Sequence, residues 1–140
     1  MNDTKLLFLD SNIWLYVLGT KTDNEKHRIA DRLIELPNIR ISVQVIGEIC
    51  NALLRKTIIT ESRIQETIEE LYDQFQPWYL RSRNQMVSAS KLRERYNFSH
   101  WDSFIVLAAL ESNCSTLYSE DMQDGLVIDG TLTIRNPFKD

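Results

Sequence analysis

The stretch Lys5-Leu6-Leu7-Phe8-Leu9, closed by Asp10-Ser11-Asn12, frames the whole chain. It is a brief apolar run ended by three turn-forming residues, the signature of a short strand buried on both faces. Two-sided burial implies a parallel sheet, whose strands read as continuous apolar runs because helices cover both faces. A carboxylate placed directly after such a strand sits where parallel α/β sheets build their sites.

On the C-terminal side of this stretch, helical and extended segments alternate. Ile13 to Leu18 reads as a short helix stopped at Gly19. A longer one follows from about Asp23 to Leu36, with Ile29, Leu33 and Leu36 on one face and Pro37 after it. Ile39 to Ile41 reads as a second strand. Ser42 then caps a helix to about Lys56, with Val45, Ile49, Leu53 and Lys56 along one stripe. Thr60 opens a helix carrying Ile64, Ile68, Leu71 and Phe75 at i, i+4, i+7 and i+11. Trp78 to Leu80 reads as a third strand. Ser82 and Gln85 form a capping box for a helix to about Tyr96. Ser99 is the N-cap candidate of the next helix, which is apolar nearly all round from Trp101 to Leu110 and is expected to be central and buried. Ser115 to Tyr118 and Leu132 to Ile134 complete five strands. The expected fold is a three-layer α/β/α sandwich around a mostly parallel sheet, one domain over residues 1–140.

Composition bounds what such a domain does. The chain has 140 residues, 43% hydrophobic and 26% charged, with only 4 Gly and 3 Pro, which excludes a disordered or low-complexity chain. Sixteen basic against 20 acidic residues give a net charge of −4, unlike a passive nucleic-acid coat. Cys50 and Cys114 match no C-x-x-C pattern and sit in apolar stretches, so free buried thiols in a reducing cytosol are expected. The apolar run Leu6–Leu18 is broken by Asp10 and Asn12, so neither a secretory signal nor a membrane span is expected.

Four acids lie in apolar surroundings, where a charge loses hydration unless something compensates it. Asp10 ends the first strand. Glu48 lies within Val45-Ile46-Gly47-Glu48-Ile49, Asp102 within Trp101-Asp102-Ser103-Phe104-Ile105, and Asp121 follows Leu117-Tyr118-Ser119-Glu120. Each has a plain structural alternative: an Asx-turn for Asp10, an ion pair with an Arg for Glu48, a helix-terminus charge for Asp102, and a loop acid for Asp121, with Glu120 and Asp124 competing for its place. Together, four carboxylates from four elements at one sheet rim repel one another and either take up protons or bind a cation. An all-oxygen set selects a hard ion, Mg²⁺ or Mn²⁺, whose use is to hold phosphate oxygens and activate water. His27 and His100 lack zinc-ligand spacing.

These residues resemble a known family. Phe8-Leu9-Asp10-Ser11-Asn12 is similar to the opening of a PIN domain, and Glu48 in Ser42-Val43-Gln44-Val45-Ile46-Gly47-Glu48 to its second acidic position. His100-Trp101-Asp102-Ser103-Phe104-Ile105-Val106 resembles the third, and Leu117-Tyr118-Ser119-Glu120-Asp121-Met122 the fourth. Leu132-Thr133-Ile134-Arg135-Asn136-Pro137-Phe138 resembles the ending of bacterial members. Ser103 departs from the pattern, standing where a small apolar residue is common.

The resemblance implies a Mg²⁺- or Mn²⁺-dependent endoribonuclease holding one or two ions. It also implies a VapC-like toxin of a type II toxin–antitoxin pair, cytoplasmic and homodimeric, inhibited by a cognate antitoxin. Asp10, Glu48, Asp102 and Asp121 carry over as the catalytic metal-site acids, with Asn12 and Ser119 as supporting polar neighbours. RNA rather than DNA as substrate rests on this resemblance alone. Arg81, Arg83, Lys91 and Arg95 are candidate RNA contacts, with a solvated helix face as the alternative. Trp14, Tyr16, Trp78 and Trp101 are candidates for stacking on unpaired bases, with core packing as the alternative.

The competing function class is a non-catalytic PIN-like module that binds RNA or protein. A haloacid-type phosphatase would want a second Asp where Asn12 stands, and a dinucleotide-binding oxidoreductase would want a glycine-rich turn after the first strand.

Overall fold

The computed structural model describes residues 5–55 and 59–139. In chain order the elements are β1 Leu6–Leu9, α1 Ser11–Val17, α2 Asn24–Ile34, β2 Ile39–Arg40, α3 Val43–Leu54, α4 Glu61–Phe75, α5 Arg83–Tyr96, α6 His100–Glu111, β3 Cys114–Tyr118, β4 Val127–Ile128 and β5 Leu132–Arg135.

Local chemistry sets most boundaries. Asp23, Ser42, Thr60, Ser82 and Ser99 each turn a side-chain oxygen onto a backbone N–H of the following helix's first turn. Each satisfies a donor that would otherwise be orphaned, worth about 1 kcal/mol per cap. Ser82 and Gln85 form the reciprocal capping box that their spacing predicts. After α1 the chain turns at Gly19, whose φ of +85° is open to glycine without strain.

The sheet order is β2-β1-β3-β5-β4. β1 pairs in parallel with β2 and with β3, and β3 in parallel with β5; only β4 is antiparallel. Consecutive strand residues point to opposite faces, and Phe8 and Leu9 are both fully buried. The sheet is therefore covered on both sides, as the apolar run predicts. α1 packs on α2 and α3, and α3 on α4; α5 packs on α6, and α6 on β3. From β1 the chain crosses to β2 on one side and later returns as β3 on the other, so the order reverses between β1 and β3. In open parallel sheets the crevice outside the strand ends at that reversal is where ligands bind.

Three expectations need correction. Trp78 to Leu80 is not a strand: Trp78 makes a single parallel bridge with Ser42. Its N–H donates to the Ile41 carbonyl at 3.0 Å and its carbonyl accepts from Val43 at 2.8 Å, and the pairing stops there. In its place the two-residue β4 closes the sheet edge. α6 is buried from Ser103 to Ala109, but Trp101 in its first turn is 63% exposed. Cys114 is buried and Cys50 only partly so; both are free, and burial pushes the Cys114 thiol up to about 12. Lys56, assigned to the stripe of α3, lies outside the described residues. Among the described residues no helix is long and apolar enough to cross a membrane.

Candidate active site

Asp10 is the first residue after β1 and the N-cap of α1. One carboxylate oxygen accepts from the Ser11 N–H at 2.8 Å, and the other from the Ser119 hydroxyl at 2.8 Å. The Asp10 N–H donates to the Tyr118 carbonyl at 2.9 Å, tying the two strand ends together at the crevice. Ser119 is fully buried, and its Oγ also accepts from the N–H groups of Asp121 and Met122, each at 3.3 Å. Asn12 reaches across in the same way. Its Nδ2 donates to Asp121 Oδ2 at 3.2 Å and its Oδ1 accepts from the Glu120 N–H at 3.3 Å. Ser119 and Asn12 thus fix the β3 exit loop against the start of α1.

Asp10 is only 7% exposed. Burial raises its pKa from 3.8 to about 7, against the opposing hydrogen bonds of Ser119 and Ser11, and the charges of Glu48 and Asp102 push it further. Asp102 is raised too: burial first, then the charges of Glu48 and Asp121, against the hydrogen bond of Ser99. Asp102 at the start of α6 is thus electrostatically coupled to Glu48 of α3 and to Asp121 in the loop after β3, and Asp10 at the end of β1 to Glu48 and Asp102.

It does not close them into a shell. Among the described residues no three His, Cys, Asp or Glu side chains stand where they could hold an ion between them. The reason is visible in their partners. Like charges separate, and each carboxylate takes its own neutral donor: Asp10 takes Ser119 and Ser11, Asp121 takes Asn12, and Glu48 takes Gln44, whose Nε2 donates to its Oε2 at 3.1 Å.

The donor chemistry nevertheless fits a hard divalent cation. All the donors are oxygens. None of the four acids has a Lys, Arg or His partner among the described residues, although the neighbouring acid does. Glu120 lies 2.5 Å from Lys26 and 3.6 Å from Lys21, and accepts from the Tyr16 hydroxyl at 2.9 Å. Burial opposes its ionisation, but the bonds from Lys26 and Tyr16 and the two lysine charges hold its pKa below the usual value. Asp124 accepts from the Asn136 N–H at 2.8 Å, in a turn. Of the three competing acids, Asp121 is the one coupled to Asp102, and unlike Glu120 it has no lysine partner among the described residues.

Two neighbours escaped the reading of the sequence. Gln44 holds Glu48 and also donates to the Trp101 carbonyl at 3.2 Å, linking α3 to the start of α6. The Gln-x-x-x-Glu spacing of facing helical residues was the available signal. Arg93 donates to the Ser103 hydroxyl at 2.8 Å, and that hydroxyl donates to the His100 carbonyl at 2.6 Å. The unusual serine beside Asp102 is thus a buried acceptor for a cation of α5.

The candidate RNA contacts separate. Arg95 pairs with Asp129 at 2.8 Å. Asp129 lies in the turn before β5, at the strand end opposite to Asp10. Arg81, Arg83 and Lys91 are exposed and make no ion pair among the described residues. The aromatic candidates separate as well. Trp14 and Tyr16 are core residues, and Trp78 is partly buried with its indole N–H on Glu111 at 3.0 Å. Only Trp101 is largely open to solvent. His27 is spent on the Tyr16 carbonyl at 2.7 Å and on Asp31 at 3.1 Å.

The PIN domain family model matches residues 7–123. Among solved structures the chain is similar to a toxin–antitoxin complex from Klebsiella pneumoniae. That similarity has 22% identity and a TM-score of 0.68, and covers 97% of this chain and 100% of that one. It is also similar to FitAcB from Neisseria gonorrhoeae, at 12% identity and a TM-score of 0.58, covering 95% and 99%. At these identities the two structures establish the fold alone. No curated protein matches the chain. The family match spans β1 to the loop after β3, including all four coupled acids, and PIN domains are generally nucleases. The chain belongs to the PIN domain family.

Proposed function

We propose that this protein is a Mg²⁺- or Mn²⁺-dependent endoribonuclease that hydrolyses RNA phosphodiesters, and the toxin of a type II toxin–antitoxin pair. The observation that carries the nuclease reading is the set of four carboxylates linked through Asp102 and without a cationic partner among the described residues, at the reversal point of a PIN sheet. A merely structural set would be expected to resemble Glu120, which recruits Lys21, Lys26 and Tyr16. Asp10 is the buried member of the set, and a non-catalytic binding module has no use for a buried carboxylate without a cationic partner, which costs stability.

Asp10, Glu48, Asp102 and Asp121 would hold the ion or ions. A divalent ion bound there supplies charge neutralisation at phosphate and a lowered pKa for water. The chain's own part is electrostatic and positional. Asp10 is held by Ser119 and Ser11, so its carboxylate does not swing when substrate arrives. Asn12 fixes Asp121, and Gln44 fixes Glu48. Such preorganisation spares the site reorganisation during the reaction. No side chain is required as a covalent nucleophile.

The toxin reading draws support from the toxin–antitoxin complex among the similar structures. An acidic crevice of this kind is a target for a partner's arginine, which would pair with two carboxylate oxygens and exclude both cation and substrate. A cytoplasmic homodimer is proposed on the resemblance and on the prevalence of two-fold assemblies. Expression in a bacterial host tests the pairing. Wild type alone is expected to stop growth and Asp10→Asn alone to be harmless, with growth restored by co-expressing the neighbouring gene's product. Unimpaired growth on strong expression of a wild type that cuts RNA in vitro would remove the toxin reading and leave the nuclease.

A further inference from the structure

Beside the carboxylates lies a hollow of about 410 Å³ lined mainly by Trp78, Tyr79, Leu80, Trp101 and Phe104, with Gln44 also in its wall. Its size falls within the range of about 300–1,000 Å³ common for small-ligand sites. We propose that this hollow is a nucleobase-binding subsite, which seats an unpaired base of the RNA strand next to the phosphate under attack. The inference rests on the ribonuclease reading and adds to it a place where the substrate's bases are held.

Three observations carry it. The first is exposure. Trp101 is 63% and Tyr79 51% exposed, so two large aromatic rings face solvent in a molecule that buries Trp14 and Tyr16. Base–aromatic stacking suits any base, because every base has a π-face.

The second is continuity with the site. Trp101 immediately precedes Asp102, so their Cα atoms are about 3.8 Å apart. Gln44 bonds both the Trp101 carbonyl and the Glu48 carboxylate through one nitrogen. Through Gln44 and Trp101 the hollow adjoins Glu48 and Asp102, so a base next to a phosphate held by those acids has it within reach.

The third is charge. The Arg81 guanidinium sits 4.9 Å from the centre of the Tyr79 ring and has no ion pair among the described residues. A cation at the margin of an aromatic hollow suits a base joined to a phosphate. A purely apolar partner would leave that cation unmatched.

The test uses a fluorescein-labelled, mixed-sequence single-stranded RNA of twelve nucleotides, and the same strand with abasic riboses. Binding is read by anisotropy on Asp10→Asn protein, which holds RNA uncut, with Trp101→Ala, Trp101→Phe and Tyr79→Ala added singly. Cutting is read on the Asp10 forms of the same variants, and mass by sedimentation velocity. Trp101→Ala is expected to weaken binding about tenfold and Trp101→Phe less than about threefold. The abasic strand should bind the parent protein about tenfold more weakly and be indifferent to Trp101. In cutting, the Trp101→Ala loss should fall on KM and not on kcat. Equal RNA affinity of Trp101→Ala and its parent overturns the proposal. So does a loss of affinity that coincides with a dimer falling apart, which would assign the hollow to contact between two copies of the chain. RNA binding that depends on Trp101 in a protein that never cuts would uphold the subsite and defeat the nuclease reading.

Discussion

Asp10→Asn and Asp102→Asn are each expected to lower RNA cleavage by about 10²–10³-fold or more while leaving the fold intact. Asp10 is the most buried of the four acids and touches both Ser119 and the first N–H of α1. Asp102 is the residue whose charge is coupled to both Glu48 and Asp121. Amide replacement keeps the shape of each side chain and removes the charge on which cation binding depends. Circular dichroism should show native helix content in both variants. Cleavage at the wild-type rate by either one would show that the acids were wrongly assigned.

The second large effect concerns stability and pH. The Asp10 carboxyl has its pKa raised from 3.8 to about 7 by burial, so the folded protein keeps a proton that the unfolded chain releases. Below about pH 4 both states hold the proton and the full stability is present. From about pH 4 to 7 the unfolded chain binds fewer protons than the native one, and stability falls as pH rises. At 1.36 kcal/mol per pKa unit, the fall for this one group is on the order of 4 kcal/mol, complete above about pH 7. Asp102 shifts in the same direction and adds to it, whereas Glu120, lowered by Lys26 and Tyr16, acts oppositely at acid pH. Urea unfolding in the presence of a chelator should show this decline in wild type and a much flatter profile in Asp10→Asn. Parallel profiles in the two proteins would mean that Asp10 is not a buried, destabilising charge.

What the sequence made legible follows from how local each cause is. The caps at Ser42, Thr60, Ser82 and Ser99 are set by residues within one helical turn, so spacing alone exposes them. The apolar run ended by Asp10 marks a two-sided strand because burial on both faces leaves no polar position. The misread segments depend on distant partners. Trp78 to Leu80 has strand-like residues, but its backbone finds only the Ile41–Val43 segment to pair with. Val127–Ile128 is too short to show a period and exists as a strand because β5 lies beside it. Trp101 is apolar like the rest of α6, but it lies in the first turn, ahead of Ser103 where burial of the helix begins.

The same distinction holds at the site. Glu120, Asp121 and Asp124 are equivalent carboxylates along the sequence. They are separated by Lys21 and Lys26, about a hundred residues away, and by the Asn136 backbone. Charge placement was legible and charge compensation was not, because compensation is a tertiary property. That is also why the spacing of the acids announces a shared site without revealing that each carboxylate rests on a neutral donor of its own.

The acids without a cationic partner are proposed to bind a divalent ion and cut RNA. The most direct test is incubation of a mixed single-stranded RNA pool with purified wild type in millimolar Mg²⁺, in millimolar Mn²⁺ and in chelator, with product ends mapped. Internal cleavage is expected with either ion, none with chelator, and restoration when the ion is added back. Intact RNA in all three conditions, or cleavage undiminished by chelator, would contradict the proposal.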